Sequence, residues 1–159
     1  MTEEMSASRT VPGEVAGTFA RVLPMPLPTI FTRWHGPLPP IRSTEGPEPW
    51  QTAGQRRRVN LVGPGWMHET LLVVEPPHHF DYRLDGVHGP MRALVAGVEG
   101  RWAFAPVPGG TRVTWSWRVT GRAATRWLLP TFARLWQGYA AKVLDDLEQR
   151  LGEHLSDDE

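Results

Sequence analysis

The sequence predicts an α+β protein in which a curved antiparallel sheet of about six to seven strands wraps around a long C-terminal helix, with two short helices after the first strand. Two observations carry this prediction. Apolar side chains alternate with polar ones at a period of two between residues 56 and 121, and they recur at helical spacing between residues 130 and 151. The spacers between the later strands are too short for crossover helices, so neighbouring strands should be antiparallel.

The length of the chain suits one domain and is too small for two ordinary ones, since it has 159 residues. We expect a single domain over residues 8–152. The segments 1–7 and 153–159 are polar and charged, and we expect both to be frayed.

The N-terminal part of the chain is interrupted by prolines. Short helices are predicted over 14–23 and 29–34, because apolar residues in each share one face, and Pro24, Pro26 and Pro28 separate the two. Between residues 36 and 54 the sequence is rich in proline and glycine, and only 41–45 is suited to a short strand.

The later strands are bounded by glycine and proline clusters. The predicted ranges are 56–62, 67–75, 79–84, 98–105 and 111–121. The segment 86–97 is less regular, and we expect it to bulge or to loop over one end of the sheet. Alternation in the last three strands gives the sheet one face with many aromatic side chains, which needs a cover.

The predicted helix over 130–151 supplies that cover. Its apolar positions include Phe132, Trp136, Tyr139, Val143 and Leu147, which share one face. Pro130 fits the first turn of such a helix, where the missing N–H costs no hydrogen bond.

Composition excludes several kinds of site. The chain has no cysteine, which removes disulfides, thiol nucleophiles and iron–sulfur ligation. No histidine group has metal-ligand spacing, since His78 and His79 are adjacent and diverge, so we expect neither a metal nor another cofactor.

Charge and hydropathy limit the partners. Lys+Arg 17 balance Asp+Glu 17, and the one dense basic run, 56–58, divides between the two faces of a strand. We therefore expect no nucleic acid and no attraction to anionic membrane surfaces. No apolar run approaches the ~18 residues of a membrane span, so we expect no integral membrane segment and a cytoplasmic location.

The order of elements resembles a known superfamily. The segment 10–15 that precedes the first helix, the strand 69–76 that ends in Glu75-Pro76, and the Gly-Gly-Thr-Arg-Val-Thr-Trp strand at 109–115 resemble the START-related, helix-grip superfamily called SRPBCC. Within that superfamily the sequence most resembles the polyketide cyclase/dehydrase branch. The resemblance implies a helix-grip fold with a pocket between the concave face of the sheet and the helix, and a small hydrophobic or aromatic molecule as partner.

The alternating pattern indicates which side chains would line that pocket. The predicted ligand contacts are aromatic: Phe80, Tyr82, Trp102, Phe104, Trp115, Trp117, Trp136 and Tyr139. Each of them could equally be a core residue with no ligand contact.

Four polar residues are candidates for chemistry in the pocket. Tyr82 and Tyr139 could donate a proton or a hydrogen bond to a carbonyl. Arg57 shares a face with Val59 and Leu61, so it either points inward, where it could steady an enolate or carboxylate, or extends to solvent. His68 and Glu69 lie on opposite faces of a strand, and of the two His68 would be the more useful near neutral pH.

Three functions remain open at this stage. The first is binding of a small hydrophobic or aromatic molecule for transport, sequestration or sensing. The second is a metal-free cyclase or dehydratase that uses the polar candidates as acid and base. The third is a closed-core protein-interaction module, which a cavity of a few hundred Å3 would argue against. The sequence leaves the oligomeric state open.

Overall fold

A seven-stranded antiparallel sheet forms most of the protein. The computed structural model describes residues 2–157, and in it the strands lie side by side in the order β1-β7-β6-β5-β4-β3-β2. Their bounds are β1 (Thr2–Val11), β2 (Ile41–Glu45), β3 (Arg56–Leu61), β4 (Trp66–Glu75), β5 (His79–His88), β6 (Val95–Val107) and β7 (Gly110–Gly121). From β2 onward each strand pairs with the next along the chain, which confirms the antiparallel sheet predicted from the short spacers.

The N-terminal strand corrects one expectation. Residues 1–7 were expected to fray, but Thr2 pairs with Thr120 of β7, and the register continues to Val11 opposite Thr111. Met5 and Val11 are buried and lie on the same face of the strand, because they are an even number of residues apart. They are a weak period-two signal in a segment that is otherwise mostly polar. Without β1, the backbone of β7 would be an unpaired sheet edge.

The proline-rich segment also differs from its prediction. The helix α1 (Val15–Val22) lies within the predicted 14–23. The second helix, predicted over 29–34, is wrong, because only a three-residue 3-10 helix forms, over Leu27–Thr29. Backbone groups of this segment bond to later residues instead, since the Phe31 carbonyl accepts from the N–H of Ile41 at 2.9 Å, and His35 and Leu38 exchange two hydrogen bonds of 3.0 Å.

The connection between β5 and β6 is shorter than the predicted irregular segment 86–97. Both strands extend into it, which leaves a loop that contains a 3-10 helix over Pro90–Ala93. Gly86 has φ 58°, a conformation that glycine adopts without steric cost, and a register shift accompanies it in β4 between Trp66 and His68.

The long helix α2 (Leu129–Asp157) confirms the predicted cover of the sheet. It extends past the expected end at residue 151, and residues 153–157, which were expected to fray, are helical. Residues 158–159 lie outside the described part of the chain. Trp136, Ala140, Leu147 and Leu151 are fully buried on its inner face. A curved antiparallel sheet around this helix is the helix-grip fold implied by the resemblance.

The two helices fill different parts of the concave face. Phe19 of α1 packs edge-on against Phe80 and Phe104, with ring centroids 5.9 and 5.3 Å apart, and closes one end. α2 covers the remainder and leaves a space beside it. Neither helix of the described chain is long and apolar enough to cross a bilayer.

The role of β1 can be tested with two neighbouring substitutions. Val11 is 1% exposed, so Val11→Ala should lower the free energy of unfolding by about 1.5–3 kcal/mol, the contribution of burying such a side chain. Thr10→Ala is the matched control, because Thr10 is exposed on the other face of the same strand. Urea denaturation measures both, and equal small losses would show that β1 is frayed in solution.

Candidate functional site

The space between the concave face of the sheet and α2 is a cavity of about 70 Å3. It is bordered by β2 to β7, the loop between β5 and β6, α2 and the 24–40 segment. Its lining residues are Leu27, Phe31, Leu38, Pro39, Ile41, Val59, Leu61, Met67, Glu69, Tyr82, Leu84, Met91, Trp102, Trp115, Trp117, Phe132, Trp136 and Tyr139. Glu69 and the two tyrosine hydroxyls are the ionisable groups among these residues, so the cavity is largely apolar and aromatic.

Six of the eight predicted aromatic contacts meet around this cavity. Tyr82, Trp102, Trp115, Trp117, Trp136 and Tyr139 line it. Phe80 and Phe104 do not, because they pack against Phe19 of α1 at the closed end of the sheet. Alternation along a strand predicts which face a residue occupies, but it does not say where along that face the cavity lies.

The tryptophans form one connected group. Trp115 stacks on Trp102, with ring centroids 5.3 Å apart, and lies 4.8 Å from the ring of Trp136 on α2. The indole nitrogen of Trp136 is buried and has no hydrogen-bond partner among the described residues. These contacts join the sheet to the helix directly beside the cavity.

Tyr82 lies across the sheet because of the glycine opposite it. Its partner on β6 is Gly100, where an added Cβ would lie 2.1 Å from the Tyr82 Cζ atom. The ring therefore covers Gly100 and reaches β7. There the Tyr82 Oη atom accepts hydrogen bonds from the indole nitrogens of Trp115 at 2.7 Å and Trp117 at 2.8 Å.

Both cavity tyrosines are held in the neutral form. Burial raises the pKa of Tyr82 and of Tyr139 above the ordinary range of a phenol. The Tyr139 hydroxyl donates to the carbonyl oxygen of Pro39 at 2.7 Å, which connects α2 to the 24–40 segment. The two hydroxyls therefore differ, because the proton of Tyr139 is already engaged.

Arg57 points inward, as one of its two predicted orientations required. Its Nε donates to the Glu69 carboxylate at 2.6 Å, and its guanidinium lies 4.0 Å from the centre of the Trp50 ring. Both members of the pair are buried, with side chains 8% and 7% exposed. Arg57 is not among the cavity-lining residues, so its charge is directed to Glu69 and Trp50.

The acidic neighbour of His68 occupies the cavity wall instead of the histidine. Glu69 lies on the inner face between Met67 and Leu71, whereas His68 lies on the outer face, edge-on to Trp66 at 5.3 Å. Burial raises the pKa of the Glu69 carboxyl, and the nearby Arg57 partly opposes this shift. The choice of His68 over Glu69 as the pocket residue is wrong.

Some of the cavity wall carried a usable signal in the sequence, and some did not. Glu69 could have been assigned from its alternation with Met67 and Leu71, both apolar. Phe31 and Leu38 lie in the irregular 24–40 segment, where no periodicity says which side chains turn inward. Within the described residues, no group of three or more potential metal ligands comes together.

Comparison with solved structures shows proteins of the same fold. A major latex-like protein 151 from Panax ginseng is 11% identical with a TM-score of 0.68, covering 94% of this chain and 97% of that one. Protein MLL2253 from Mesorhizobium loti is 17% identical with a TM-score of 0.68, covering 95% and 98%. DynU16, a putative protein in the dynemicin biosynthetic locus, is 16% identical with a TM-score of 0.61, covering 94% of this chain and 47% of that one.

The sequence itself matches a family model. None of the curated proteins compared with the chain matches it. The model described as polyketide cyclase / dehydrase and lipid transport matches residues 2–152, nearly the whole chain. Together with the curved sheet around α2, this match shows that the chain belongs to the polyketide cyclase / dehydrase and lipid transport family.

Proposed function

We propose that the protein binds a small, neutral aromatic or hydrophobic molecule in the cavity beside α2. The observation that carries this proposal is the lining itself, which combines tryptophan rings with very few polar groups. Such a surface suits a flat apolar ligand and leaves the orientation of the ligand to a few hydrogen bonds. The family match agrees with a ligand-binding fold.

The size of the cavity requires it to expand when a ligand binds. Its volume of about 70 Å3 is less than half of the roughly 150 Å3 of an engineered cavity that holds benzene. The 24–40 segment is the part of the wall that can move with least loss, since it contributes no sheet strand. Its attachments to α2 include the Tyr139 to Pro39 hydrogen bond and a 2.8 Å bond from Lys142 Nζ to the carbonyl of Trp34.

Tyr82 favours a ligand that carries a hydrogen-bond acceptor. Two indole N–H groups already donate to its oxygen, which occupies both acceptor positions. Its own proton has no acceptor among residues 2–157, and its raised pKa keeps that proton in place. A ligand carbonyl beside Tyr82 would complete the hydrogen bonding of the hydroxyl.

The Arg57 and Glu69 pair favours a neutral ligand over an anion. The positive charge of Arg57 is balanced by Glu69 and lies against Trp50, away from the lining. A carboxylate ligand would therefore meet the Glu69 carboxyl with no free cation to compensate it. This argument favours a ketone or quinone over a fatty-acid anion.

An acid–base enzyme is the second candidate, since Tyr82 and Glu69 line one cavity. Tyr82 pairs with Leu71 in the ladder between β4 and β5, and Glu69 lies two residues from Leu71 on the same face. The tyrosine could donate a hydrogen bond to a ketone oxygen while the Glu69 carboxylate removes an α-proton, which gives an enolate and a protonated Glu69. Deuterium incorporation at the α-carbon of bound 1-tetralone that is lost in Glu69→Gln, measured where the melting curve shows this variant to be folded, would establish this activity.

The third reading, a closed-core interaction module, is favoured by the small volume alone. The cavity falls short of the few hundred Å3 that would have argued against that reading. Ligand titration separates the two, because a closed core cannot admit an aromatic ring without unfolding.

A pair of nearly isosteric ligands tests the proposal. Fluorenone and fluorene differ by a carbonyl in place of a methylene, and we expect both to quench tryptophan fluorescence saturably, fluorenone more tightly. Tyr82→Phe should weaken fluorenone by about 2- to 12-fold, the worth of one hydrogen bond, and leave fluorene unchanged. Dodecanoate should bind less well than either ligand.

The same titration has a control and a contradicting outcome. Tyr82→Phe also removes the acceptor of one buried indole, Trp115, and one half-buried indole, Trp117, so its melting curve must be recorded and affinities measured well below the midpoint. If no aromatic compound quenches the wild-type protein saturably, the binding proposal is wrong and the closed-core reading replaces it.

The buried ion pair gives a separate prediction about stability. Glu69→Gln leaves Arg57 buried without a counter-charge and should lower the free energy of unfolding by about 3–5 kcal/mol. The double variant Arg57→Met with Glu69→Leu removes both charges and should unfold near the wild-type free energy or above it. Urea denaturation of the three proteins measures this, and a Glu69→Gln protein as stable as wild type would mean that the pair is solvated.

A further inference from the structure

A single tryptophan stands out from the surface at one end of the sheet. Trp127 is 72% exposed, more than Trp34 at 50% and Val62 at 37%, the other large apolar residues that are exposed. It lies in a 3-10 helix, Ala123–Leu128, that connects β7 to α2. An exposed indole of this size has no structural role in the core.

Two 3-10 helices meet at this point. The backbone N–H of Arg122 donates to the carbonyl of Leu94 at 3.2 Å, and the Thr125 hydroxyl donates to the carbonyl of Ala93 at 2.8 Å. The Arg122 Nε atom donates to the carbonyl of Arg92. These bonds hold the β5 to β6 loop and the β7 to α2 connection as one surface.

Three exposed arginines lie on the two connected segments that carry the tryptophan. Arg92, Arg122, Arg126 and Trp127 are here called the Trp127 surface, and all four side chains are exposed. None of the three arginines forms an ion pair with a described residue, whereas Arg9, Arg33, Arg101 and Arg118 all do. The sequence has no acidic residue over 86–98 or over 100–144.

The zero net charge of the chain therefore conceals a positive end. A net charge of zero argues against attraction to an anionic surface only when positive and negative side chains are mixed over the whole surface of the molecule. The acids nearest to the Trp127 surface in the sheet register are Glu3, opposite Val119, and Glu4 and Glu99, both opposite Arg118. Glu4 is ion-paired with Arg118, so three unpaired arginines face two remaining acids and the local charge balance is positive.

We propose that the Trp127 surface docks the protein on an anionic lipid bilayer. Tryptophan is the residue that prefers the boundary between headgroups and acyl chains, and arginines beside it are attracted to anionic headgroups. A protein partner fits less well, because one isolated indole cannot form the apolar centre of an interface of ordinary size, about 800 Å2 per partner. The proposal does not depend on ligand binding.

Docking in this orientation would bring the cavity close to the bilayer. Met91, which lines the cavity, precedes Arg92 in the 3-10 helix Pro90–Ala93. Apolar molecules dissolved in the acyl chains would then lie next to one border of the cavity.

Vesicle sedimentation tests the proposal with matched variants. The full-length protein should bind vesicles of phosphatidylcholine and phosphatidylglycerol, and bind phosphatidylcholine alone weakly or not at all. The triple variant Arg92→Gln, Arg122→Gln, Arg126→Gln should partition about 100-fold less strongly, since each basic residue near the surface contributes about fivefold. Trp127→Ala should weaken partitioning several-fold, and salt should weaken that of the wild type.

Two controls separate the surface from general effects of charge and apolarity. Arg42→Gln, Arg83→Gln, Arg112→Gln removes the same charge from exposed arginines outside the surface, and Trp34→Ala removes the other exposed tryptophan. Both should bind anionic vesicles much as the wild type does.

Three results would overturn the proposal. One is equal binding to the two kinds of vesicle, and another is equal loss in the control and test triples. The third is binding to a single-stranded oligonucleotide that is tighter than binding to anionic vesicles and depends on the same arginines and Trp127, which would assign the surface to nucleic acid.

Discussion

Burial of the aromatic concave face beneath α2 is the constraint on which the remaining features of the protein depend. Trp115 is the centre of this contact, stacked on Trp102 of the neighbouring strand and within 4.8 Å of Trp136 on the helix. Large rigid rings cannot fill a curved space completely, since each ring has few rotamers and a flat shape. The cavity is the space that these rings leave beside the helix.

The polar groups of the cavity follow from the same curvature. Gly100 removes a side chain at the point where Tyr82 crosses the sheet, and the tyrosine then accepts hydrogen bonds from the half-buried indole of Trp117 and from the indole of Trp115, which would otherwise be buried without a partner. Glu69 is compensated by Arg57, which in turn lies on Trp50. The result is a site whose charges are satisfied internally and whose free hydrogen-bonding groups are two donors, the phenolic proton of Tyr82 and the indole N–H of Trp136, which is why a neutral acceptor is the proposed partner.

Much of this arrangement can be predicted from the sequence, because alternation and helical spacing are local signals. They predicted the strand Ile41–Glu45, the inward direction of Tyr82 and the apolar face of α2 correctly. What could not be predicted depends on contacts between distant segments. The strand β1 exists because β7 offers it a partner, and the cavity lies beside Trp102 and not beside Phe80 because α1 occupies one end. The inward position of Glu69 was missed for another reason. The alternation of the strand indicated it, but the usefulness of histidine in acid–base chemistry was given more weight.

Nuclear magnetic resonance of the indole N–H groups tests the central claim most directly, since the eight tryptophans report separately on cavity and surface. During titration with a neutral aromatic ketone, the account predicts saturable shifts of the resonances of Trp102, Trp115, Trp117 and Trp136. The resonances of the exposed Trp34 and Trp127 should remain in place. Shifts confined to the exposed tryptophans, or none at all, would contradict ligand binding in the cavity.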